Sequence, residues 1–266
     1  MEWAFSQYGK RVYLVGSDYV YPRAANAILK DQAHAWQGQI VGEQYQPLGS
    51  QSFDDIVDDI RSKKPDVIFN TINGKSNIAF FDALRNVSDV AGVVIPTVSF
   101  SLTAGELVQL GRSIGHDDHV VLSYFPTNQN SDSTSFTTRF KQHYPESEPV
   151  NNAMLNAYLS VHLWAKSVAK AGTSHPQKLH KKIGDLSILG PSGMVYVEKN
   201  TQHTWRTMHI ARLNQQGALT SEWFSKIPIA PIPYPSSRTR AQWQTYLAEL
   251  QQQWQGQWQA AVQREQ

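Results

Sequence analysis

The sequence predicts an α/β protein built on a parallel β-sheet, and three observations support this prediction. Short apolar runs are centred near residues 13, 41, 68 and 95, a spacing of about 27 residues that is typical of successive strand–helix–strand units. The segments between them carry apolar side chains three and four residues apart, which is helical periodicity. The chain has 266 residues, a length that suits one large or two modest domains, and its composition of 41% hydrophobic and 17% charged residues is enough for a folded core.

The first hundred residues are predicted to form four parallel strands with crossover helices, so that the strands are buried on both faces. The strands are predicted over residues 11–16, 39–45, 66–70 and 93–98. One helix is expected from Pro22 to about residue 36, and others after Ser52 and Ser76, two residues that can cap a helix N-terminus. Thr103 and Glu106 form a capping-box pattern that predicts a further, shorter helix.

In the rest of the chain the pattern changes. Its middle part has more predicted helices than strands, which is what half of an α/β lobe would show. The elements are a strand over 120–125, helices over 131–144, 152–171 and about 176–185, and antiparallel strands over 194–197, 205–213 and 219–224 with a turn at 214–217. Four prolines within 227–235 predict an extended strap. The helical spacing after residue 241 favours a helix packed on the body, with a partner-docking helix as the alternative.

Composition excludes several classes of function. The 24 basic and 22 acidic residues give a net charge of +2 with no basic block, so the chain offers no electrostatic footprint for nucleic acid. The absence of cysteine excludes disulfides, thiolate zinc sites and cysteine nucleophiles. No apolar run approaches the roughly 18 residues of a membrane span. The first ten residues lack the features of a signal peptide.

Three motifs that suggest chemistry are better explained as structure. Residues 73–76 match the end of a phosphate loop, but Phe69 stands where the first glycine of that loop belongs. The G-x-S-x-G pattern at 111–115, with Ser113 in the nucleophile position, follows a predicted helix instead of a strand. Residues 116–119, two aspartates between two histidines, are expected in a solvated loop. We therefore expect no enzyme, no cofactor and no metal.

Polar and aromatic side chains follow the predicted strands where their carboxyl ends meet at one edge of the sheet. Tyr19 and Tyr21 lie in the loop after the first strand, Thr71 and Asn73 end the third, and Ser101 follows the fourth. Open parallel sheets bind ligands at this edge. Phenols, hydroxyls and a carboxamide are present without paired carboxylates or a nucleophile and base. The set therefore suits recognition of a small neutral polar molecule better than catalysis.

Several segments resemble one family of binding proteins. They are residues 10–23, which include Gly-Ser-Asp-Tyr-Val-Tyr-Pro-Arg, and residues 46–50, 65–74, 190–193, 203–206 and 231–243. On these segments the chain resembles the urea and short-chain-amide substrate-binding proteins of ABC transporters, which have the type I periplasmic-binding-protein fold. The resemblance covers nearly the whole chain. It implies two α/β lobes joined by three crossovers, with the first lobe incomplete.

The resemblance also assigns segments of the chain to lobes. Residues 11–122 and 194–235 are expected in the second α/β lobe, 123–193 in the remaining part of the first lobe, and 236–266 in a C-terminal strap and helix. An incomplete lobe would leave apolar surface uncovered, so a homodimer is a further expectation.

A non-catalytic function follows from the resemblance. Tyr19, Tyr21, Thr71 or Asn73, and Ser101 are expected to contact urea or a short aliphatic amide, which the protein delivers to an ABC permease in the membrane. Family members are periplasmic or extracellular, whereas the chain as written shows no signal peptide. An amide sensor, cytoplasmic or linked to a receptor, is therefore the alternative.

Overall fold

The computed structural model describes residues 1–91, 94–111, 114–115, 117–126, 131–213 and 219–261. In these ranges the helices are α1 (Glu2–Gln7), α2 (Val20–Ala35), α3 (Asp54–Lys63), α4 (Ser76–Ala91), α5 (Ala104–Leu110), α6 (Ser131–His143), α7 (Asn152–Ala171), α8 (Pro176–His180) and α9 (Arg240–Gln253). The strands in the same ranges are β1 (Arg11–Ser17), β2 (Gln39–Gln46), β3 (Val67–Thr71), β4 (Thr97–Ser99), β5 (Asp118–Leu122), β6 (Ser187–Gly190), β7 (Gly193–Val197), β8 (Thr204–Trp205), β9 (His209–Leu213) and β10 (Leu219–Phe224).

The larger sheet has the predicted α/β architecture. Within the described chain, seven strands pair in the order β10-β9-β5-β4-β3-β1-β2. The strands from β5 to β2 run parallel, and β9 and β10 continue the sheet antiparallel beyond β5. Parallel neighbours need crossover connections, which α2, α3, α4 and α5 supply. The carboxyl ends of β1, β3 and β4 consequently lie side by side at one edge.

Helices cover both faces of this sheet, which explains why its strands read as continuous apolar runs. Tyr13 and Val15 of β1 pack with buried side chains of α3, α4 and α5. Val12 and Leu14 alternate to the opposite face, where they pack with α1 and α2. All residues of β3 are buried. The two apolar layers hold the strand ends in fixed positions.

A smaller sheet belongs to the middle of the chain. In the described residues, β6, β7 and β8 pair antiparallel in that order. Val195 of β7 packs in one cluster with Phe136 of α6, Leu155 of α7 and Tyr124. This cluster is separate from the two layers of the large sheet.

β7 and β8 pair in the small sheet, whereas β9 and β10 pair in the large one. The assignment of 194–235 to the second lobe stays a prediction. The strand predicted over 205–213 divides at the same place. Trp205 ends β8 in the small sheet, and His209 begins β9 in the large one. Local sequence alone does not show this change of sheet, because each half pairs with a distant partner.

Three other predicted elements differ in extent. The fourth strand is confined to β4, because Pro96 has no N–H to donate to a ladder; residue 93 of the predicted range lies outside the described residues. The strand predicted over 120–125 begins earlier, at Asp118, and ends at Leu122. α8 ends at His180 instead of near residue 185. α1 and β6 have no counterpart in the prediction.

Helix caps follow the sequence only in part. The capping box of Thr103 and Glu106 is present at the start of α5, as predicted. Ser52 does not cap α3, whose N-cap is Phe53 without a side-chain hydrogen bond. Ser76 Oγ is buried and has no hydrogen-bond partner among the described residues, so it does not cap α4.

The C-terminal third contains the predicted strap and helix. Ile229 pairs with Arg206 in an isolated antiparallel bridge, and α9 packs on α2. The turn predicted at 214–217 lies outside the described residues, but β9 and β10 on either side of it pair antiparallel, as predicted. None of the described helices combines the length and the apolar character needed to cross a membrane.

Candidate functional site

Two phenols lie at the carboxyl edge of the large sheet, Tyr19 in the loop after β1 and Tyr21 in the first turn of α2 instead of in the loop as predicted. Tyr19 adopts an extended backbone just before α2 begins. The ring centroids of Tyr19 and Tyr21 lie 6.1 Å apart, with Tyr19 half-buried and Tyr21 40% exposed. Burial, with a smaller effect of Tyr21, raises the pKa of the Tyr19 phenol, against the opposing effect of a side-chain hydrogen bond with Asn73. Tyr19 therefore remains a neutral phenol at physiological pH.

The two candidates at the end of β3 have different surroundings. The Thr71 hydroxyl is buried, 3.0 Å from the Val15 carbonyl oxygen and 3.1 Å from Asn26 Oδ1. The Asn73 N–H donates to Ser17 Oγ at 3.0 Å, and its Nδ2 donates to the Thr71 carbonyl oxygen at 3.0 Å. Asn73 is only half-buried. Of the pair left open by the sequence, Asn73 lies at the edge, whereas the Thr71 hydroxyl is hydrogen-bonded inside the fold; contact of either residue with a ligand stays a prediction.

A buried polar network fixes the loop that carries Asn73. Asn70 Nδ2 donates to Asn77 Oδ1 at 2.9 Å and to Ser99 Oγ at 3.1 Å. Asn70 Oδ1 accepts from the Ile72 N–H at 2.8 Å, and Asn77 Nδ2 donates to the Ile72 carbonyl oxygen at 2.9 Å. These bonds join β3, β4 and α4 where the edge is formed. Satisfied buried networks of this kind rigidify a structure.

Ser101 lies beside a cavity of about 180 Å³. The cavity walls come from the ends of β4 and β5, the chain after β5 and the beginning of α7. They are largely apolar and include Phe100, Leu122 and Phe125. Ser101 Oγ is buried and has no hydrogen-bond partner among the described residues. A buried hydroxyl without a partner beside a cavity makes Ser101 a candidate contact for a polar ligand group.

A chain of hydrogen bonds behind the cavity orients one of its polar walls. Arg206 Nη2 donates to Ser123 Oγ at 3.2 Å, and Ser123 Oγ donates to Asn152 Oδ1 at 2.6 Å. Asn152 is the first residue of α7 and lines the cavity. Because its Oδ1 is occupied by Ser123, the amide nitrogen is the group that Asn152 can offer elsewhere. Burial lowers the pKa of Arg206, as expected for a cation withdrawn from water.

The structure brings the predicted residues together in two adjoining groups. Tyr19, Tyr21 and Asn73 meet at the ends of β1 and β3. Ser101 stands at the end of β4 and lines the cavity, which does not include the other three. β3 lies between β1 and β4, so each flanking strand end is about 5 Å from it. Sequence reasoning missed Asn152 and Ser123, which lie far along the chain and carry no motif.

Two of the four residues expected in a solvated loop, Asp118 and His119, are instead buried on β5. Asp118 is buried, pairs with Arg85 and accepts a hydrogen bond from Thr97 at 2.7 Å. His119 is also buried, with its Nε2 2.8 Å from Glu222. Their burial follows from their position on β5 inside the sheet. In the described part of the chain, no three histidine, aspartate or glutamate side chains gather as metal ligands.

Two of the sequence motifs are described only in part. Ser113 and His116 lie outside the described residues. Gly111 is the C-cap of α5, so a helix does precede the G-x-S-x-G pattern. Gly74 has a φ of 68° in the turn before α4, a backbone conformation that glycine adopts without strain.

Comparisons with known proteins agree with this fold. The sequence profile described as periplasmic binding protein domain matches residues 1–240. A solute binding protein of an ABC transporter from R. palustris, in complex with 4-hydroxybenzoate, has a TM-score of 0.77 at 22% identity, over 86% of this chain and 63% of its own. A second one from R. palustris, in complex with benzoate, has a TM-score of 0.75 at 16% identity, over 86% and 62%. A leucine binding protein from Thermotoga maritima MSB8 has a TM-score of 0.66 at 16% identity, over 80% and 60%.

The solved structures and the sequence profile support different conclusions, because they match this chain in different ways. The chain spans about three fifths of the length of the three solved structures. At identities of 22% and below, the likeness to them concerns the fold, which is the type I periplasmic-binding-protein fold. The profile match is different in kind, because it covers most of the sequence itself. This chain therefore belongs to the periplasmic binding protein domain family.

Proposed function

We propose that this chain captures a small uncharged polar solute, urea or a short aliphatic amide, as the solute-binding part of an ABC uptake system, and that it does not transform the solute. One observation carries the proposal. Ser101 lines a cavity of about 180 Å³ at the end of β4, and its buried Oγ has no hydrogen-bond partner among the described residues. The neighbouring end of β3 bears Asn73 and its bonded partner Tyr19. The solute occupies this cavity beside Ser101, with Asn73 at the adjoining strand end.

The available groups match the two ends of an amide. An amide oxygen accepts hydrogen bonds, and the Asn152 amide nitrogen at the beginning of α7 can donate one. An amide N–H donates, and Ser101 Oγ can accept. A cavity of about 180 Å³ has room for about six water molecules, which suits a solute of a few heavy atoms.

The charge of the cavity wall favours a neutral solute. Among the described residues that line the cavity, no side chain of Asp, Glu, Lys, Arg or His is present. Burying an ionised group without a charged partner costs several kcal/mol, roughly, whereas an amide needs only hydrogen bonds. Arg206 reaches the wall only through Ser123 and Asn152.

An aromatic acid is the second candidate solute. Two of the structural neighbours hold 4-hydroxybenzoate and benzoate. Here Phe100, Tyr124 and Phe125 line the cavity and could pack on a benzene ring. Its carboxylate would then face the beginning of α7, where helix N–H groups and the Arg206 relay favour negative charge.

The proposed function includes a partner and a location. Solute-binding parts of ABC uptake systems deliver their ligand to a membrane permease, and their family name places them in the periplasm. A sensor that regulates amide metabolism remains the alternative role for the same ligand site. Val161, Trp164 and Leu189 expose apolar surface on the middle segment, which supports the expected self-association.

Titration of the purified chain with a solute panel tests the ligand. Urea, formamide, acetamide, 4-hydroxybenzoate, benzoate and leucine are each followed by calorimetry and by the shift in melting temperature. The amides should bind saturably, and Ser101→Ala should weaken them about five- to tenfold through one lost hydrogen bond. Ser160→Ala, an exposed serine on α7, is the control and should change nothing. Binding of the aromatic acids alone would favour the second candidate, and no binding at all would overturn the proposal for this chain.

A further inference from the structure

The C-terminal segment folds back onto residues 18–23, the loop after β1 with Tyr19 and the first turn of α2 with Tyr21. We call residues 236–261 the C-terminal clasp. It consists of the end of the strap, α9 and an extended stretch after it. The family profile ends at residue 240, so most of the clasp lies beyond the matched domain.

The extended stretch of the clasp pairs with one side of the loop. The Val20 N–H donates to the Trp258 carbonyl oxygen at 2.9 Å, and the Ala260 N–H donates to the Asp18 carbonyl oxygen at 2.9 Å. Tyr19 and Gln259 stand opposite each other in the resulting antiparallel bridge. The two backbone bonds enclose Tyr19, so the direction of its side chain depends on the clasp.

α9 holds the other end of the same loop. The Tyr246 hydroxyl donates to the Arg23 carbonyl oxygen at 2.9 Å. The Arg23 guanidinium in turn pairs with Asp18 at 2.7 Å and lies 3.7 Å from the centroid of the Tyr45 ring. Residues 18–23 are thus held at both ends by a single C-terminal segment.

A separate contact anchors the clasp to α2. Arg238 donates to both carboxylate oxygens of Asp31, each at 2.8 Å, and Ser237 donates to the same carboxylate at 2.8 Å. The Arg238 guanidinium also lies over the Trp243 ring, 4.7 Å from its centroid. Two-point arginine–carboxylate contacts are geometrically specific, so they fix the position from which the clasp reaches the loop.

We propose that the C-terminal clasp is a positioning element for residues 18–23, which comprise the loop after β1 with Tyr19 and the first turn of α2 with Tyr21. It holds this segment in the conformation that completes the ligand edge. The contact between clasp and loop stands by itself, whereas its role in solute binding rests on the proposed function. Tyr246 and Ala260 are positioning residues, since they act on the solute only through the loop.

Hydrogen–deuterium exchange of the full chain without solute tests the contact. Ala260→Pro removes the N–H that donates to Asp18, and Tyr246→Phe removes the hydroxyl that donates to Arg23. Each variant removes one of the hydrogen bonds that hold the clasp on residues 18–23, so peptides covering residues 17–24 should exchange about tenfold faster, while peptides covering β1 stay unchanged. Equal exchange in variants and wild type would overturn the proposal. Faster exchange throughout β1 would show general destabilisation and would overturn it as well.

Two matched controls accompany these variants. Ala261→Pro introduces a proline one position further along the chain, where the Ala261 N–H makes no hydrogen bond among the described residues. Tyr234→Phe removes the hydroxyl of an exposed tyrosine in the strap. Both should exchange like wild type.

The role of the clasp in solute binding is tested by measuring the affinity for acetamide. Ala260→Pro should weaken acetamide binding threefold or more, and Ala261→Pro should not. If exchange changes but acetamide binds both variants equally, the positioning role is overturned. Tighter binding to Ala260→Pro would show that the clasp blocks the site instead, and would also overturn it. If acetamide does not bind the wild-type chain, the proposed function fails, while the exchange result still decides whether the clasp holds the loop.

Discussion

Replacing Asn70 by alanine tests whether the buried polar network holds the ligand edge together. Asn70 is 1% exposed and makes hydrogen bonds at 2.9 Å to Asn77, 3.1 Å to Ser99 and 2.8 Å from the Ile72 N–H. Alanine removes all three bonds and leaves their partners buried and unsatisfied. At about 1 kcal/mol or slightly more for each bond, the free energy of unfolding should fall by about 3–4 kcal/mol.

Chemical denaturation followed by circular dichroism measures this loss. Guanidinium chloride is the suitable denaturant, because urea is a proposed ligand and would stabilise the folded state by binding it. Asn73→Ala is the control at the same edge. Asn73 is half-buried, and its bond to the Thr71 carbonyl can be replaced by water, so its loss should cost about 1 kcal/mol or less. If Asn70→Ala costs no more than Asn73→Ala, the network does not carry the stability assigned to it.

The double variant of Asn70 and Asn77 gives a second check on the same reasoning. Asn77 also donates to the carbonyl oxygens of Ile72 and Gly74, so Asn77→Ala alone is destabilising. Once Asn70 is absent, part of the network is already broken, and the second change should cost less. A coupling energy of about 0.5–3 kcal/mol is expected, and strictly additive losses would contradict a shared network.

Three further predictions concern the support of the sheet. Asp118→Asn breaks the buried pair with Arg85 and should lower the free energy of unfolding by about 3–5 kcal/mol in guanidinium titrations; a loss below about 1 kcal/mol would contradict it. Thr103→Ala removes the capping box with Glu106 and should cost about 1 kcal/mol in the same assay, while Thr103→Ser should cost little. Burial lowers the pKa of His209 below its ordinary 6.5, so the unfolded state binds the proton first and stability falls as the pH drops below about 6.5. His209→Gln should therefore reduce the fall in melting temperature between pH 7.5 and pH 5.5, and equal slopes would refute this origin.

Elements with strong local signals are predictable from the sequence. α7 runs from Asn152 to Ala171 as predicted, because Asn151 caps it with a hydrogen bond to the Met154 N–H and Gly172 ends it in the left-handed conformation. β1, β2 and β3 lie within one residue of their predicted bounds. For β1 and β3 the reason is that strands buried on both faces form nearly continuous apolar runs.

Pairing between distant segments is not predictable in the same way. The strand over 205–213 is continuous in the sequence, but its two halves join different sheets. Tyr246 and Arg23 are 223 positions apart, and nothing local to the glutamine-rich tail indicates this contact. Asn70 offered one usable signal, a carboxamide at the end of an apolar strand, because a buried amide requires partners.

Two independent parts of the fold hold the residues of the candidate site in place. Asn73 and Ser101 follow strands of the sheet, and the Asn70 network ties those strand ends together. Tyr19, in the loop after β1, and Tyr21, in the first turn of α2, are held from outside by the C-terminal clasp. A change in the network should therefore reduce global stability and solute binding together, whereas a change in the clasp should alter the loop and the affinity with little loss of stability. Affinity that falls only in proportion to global stability, in both sets of variants, would mean that the loop has no separate support.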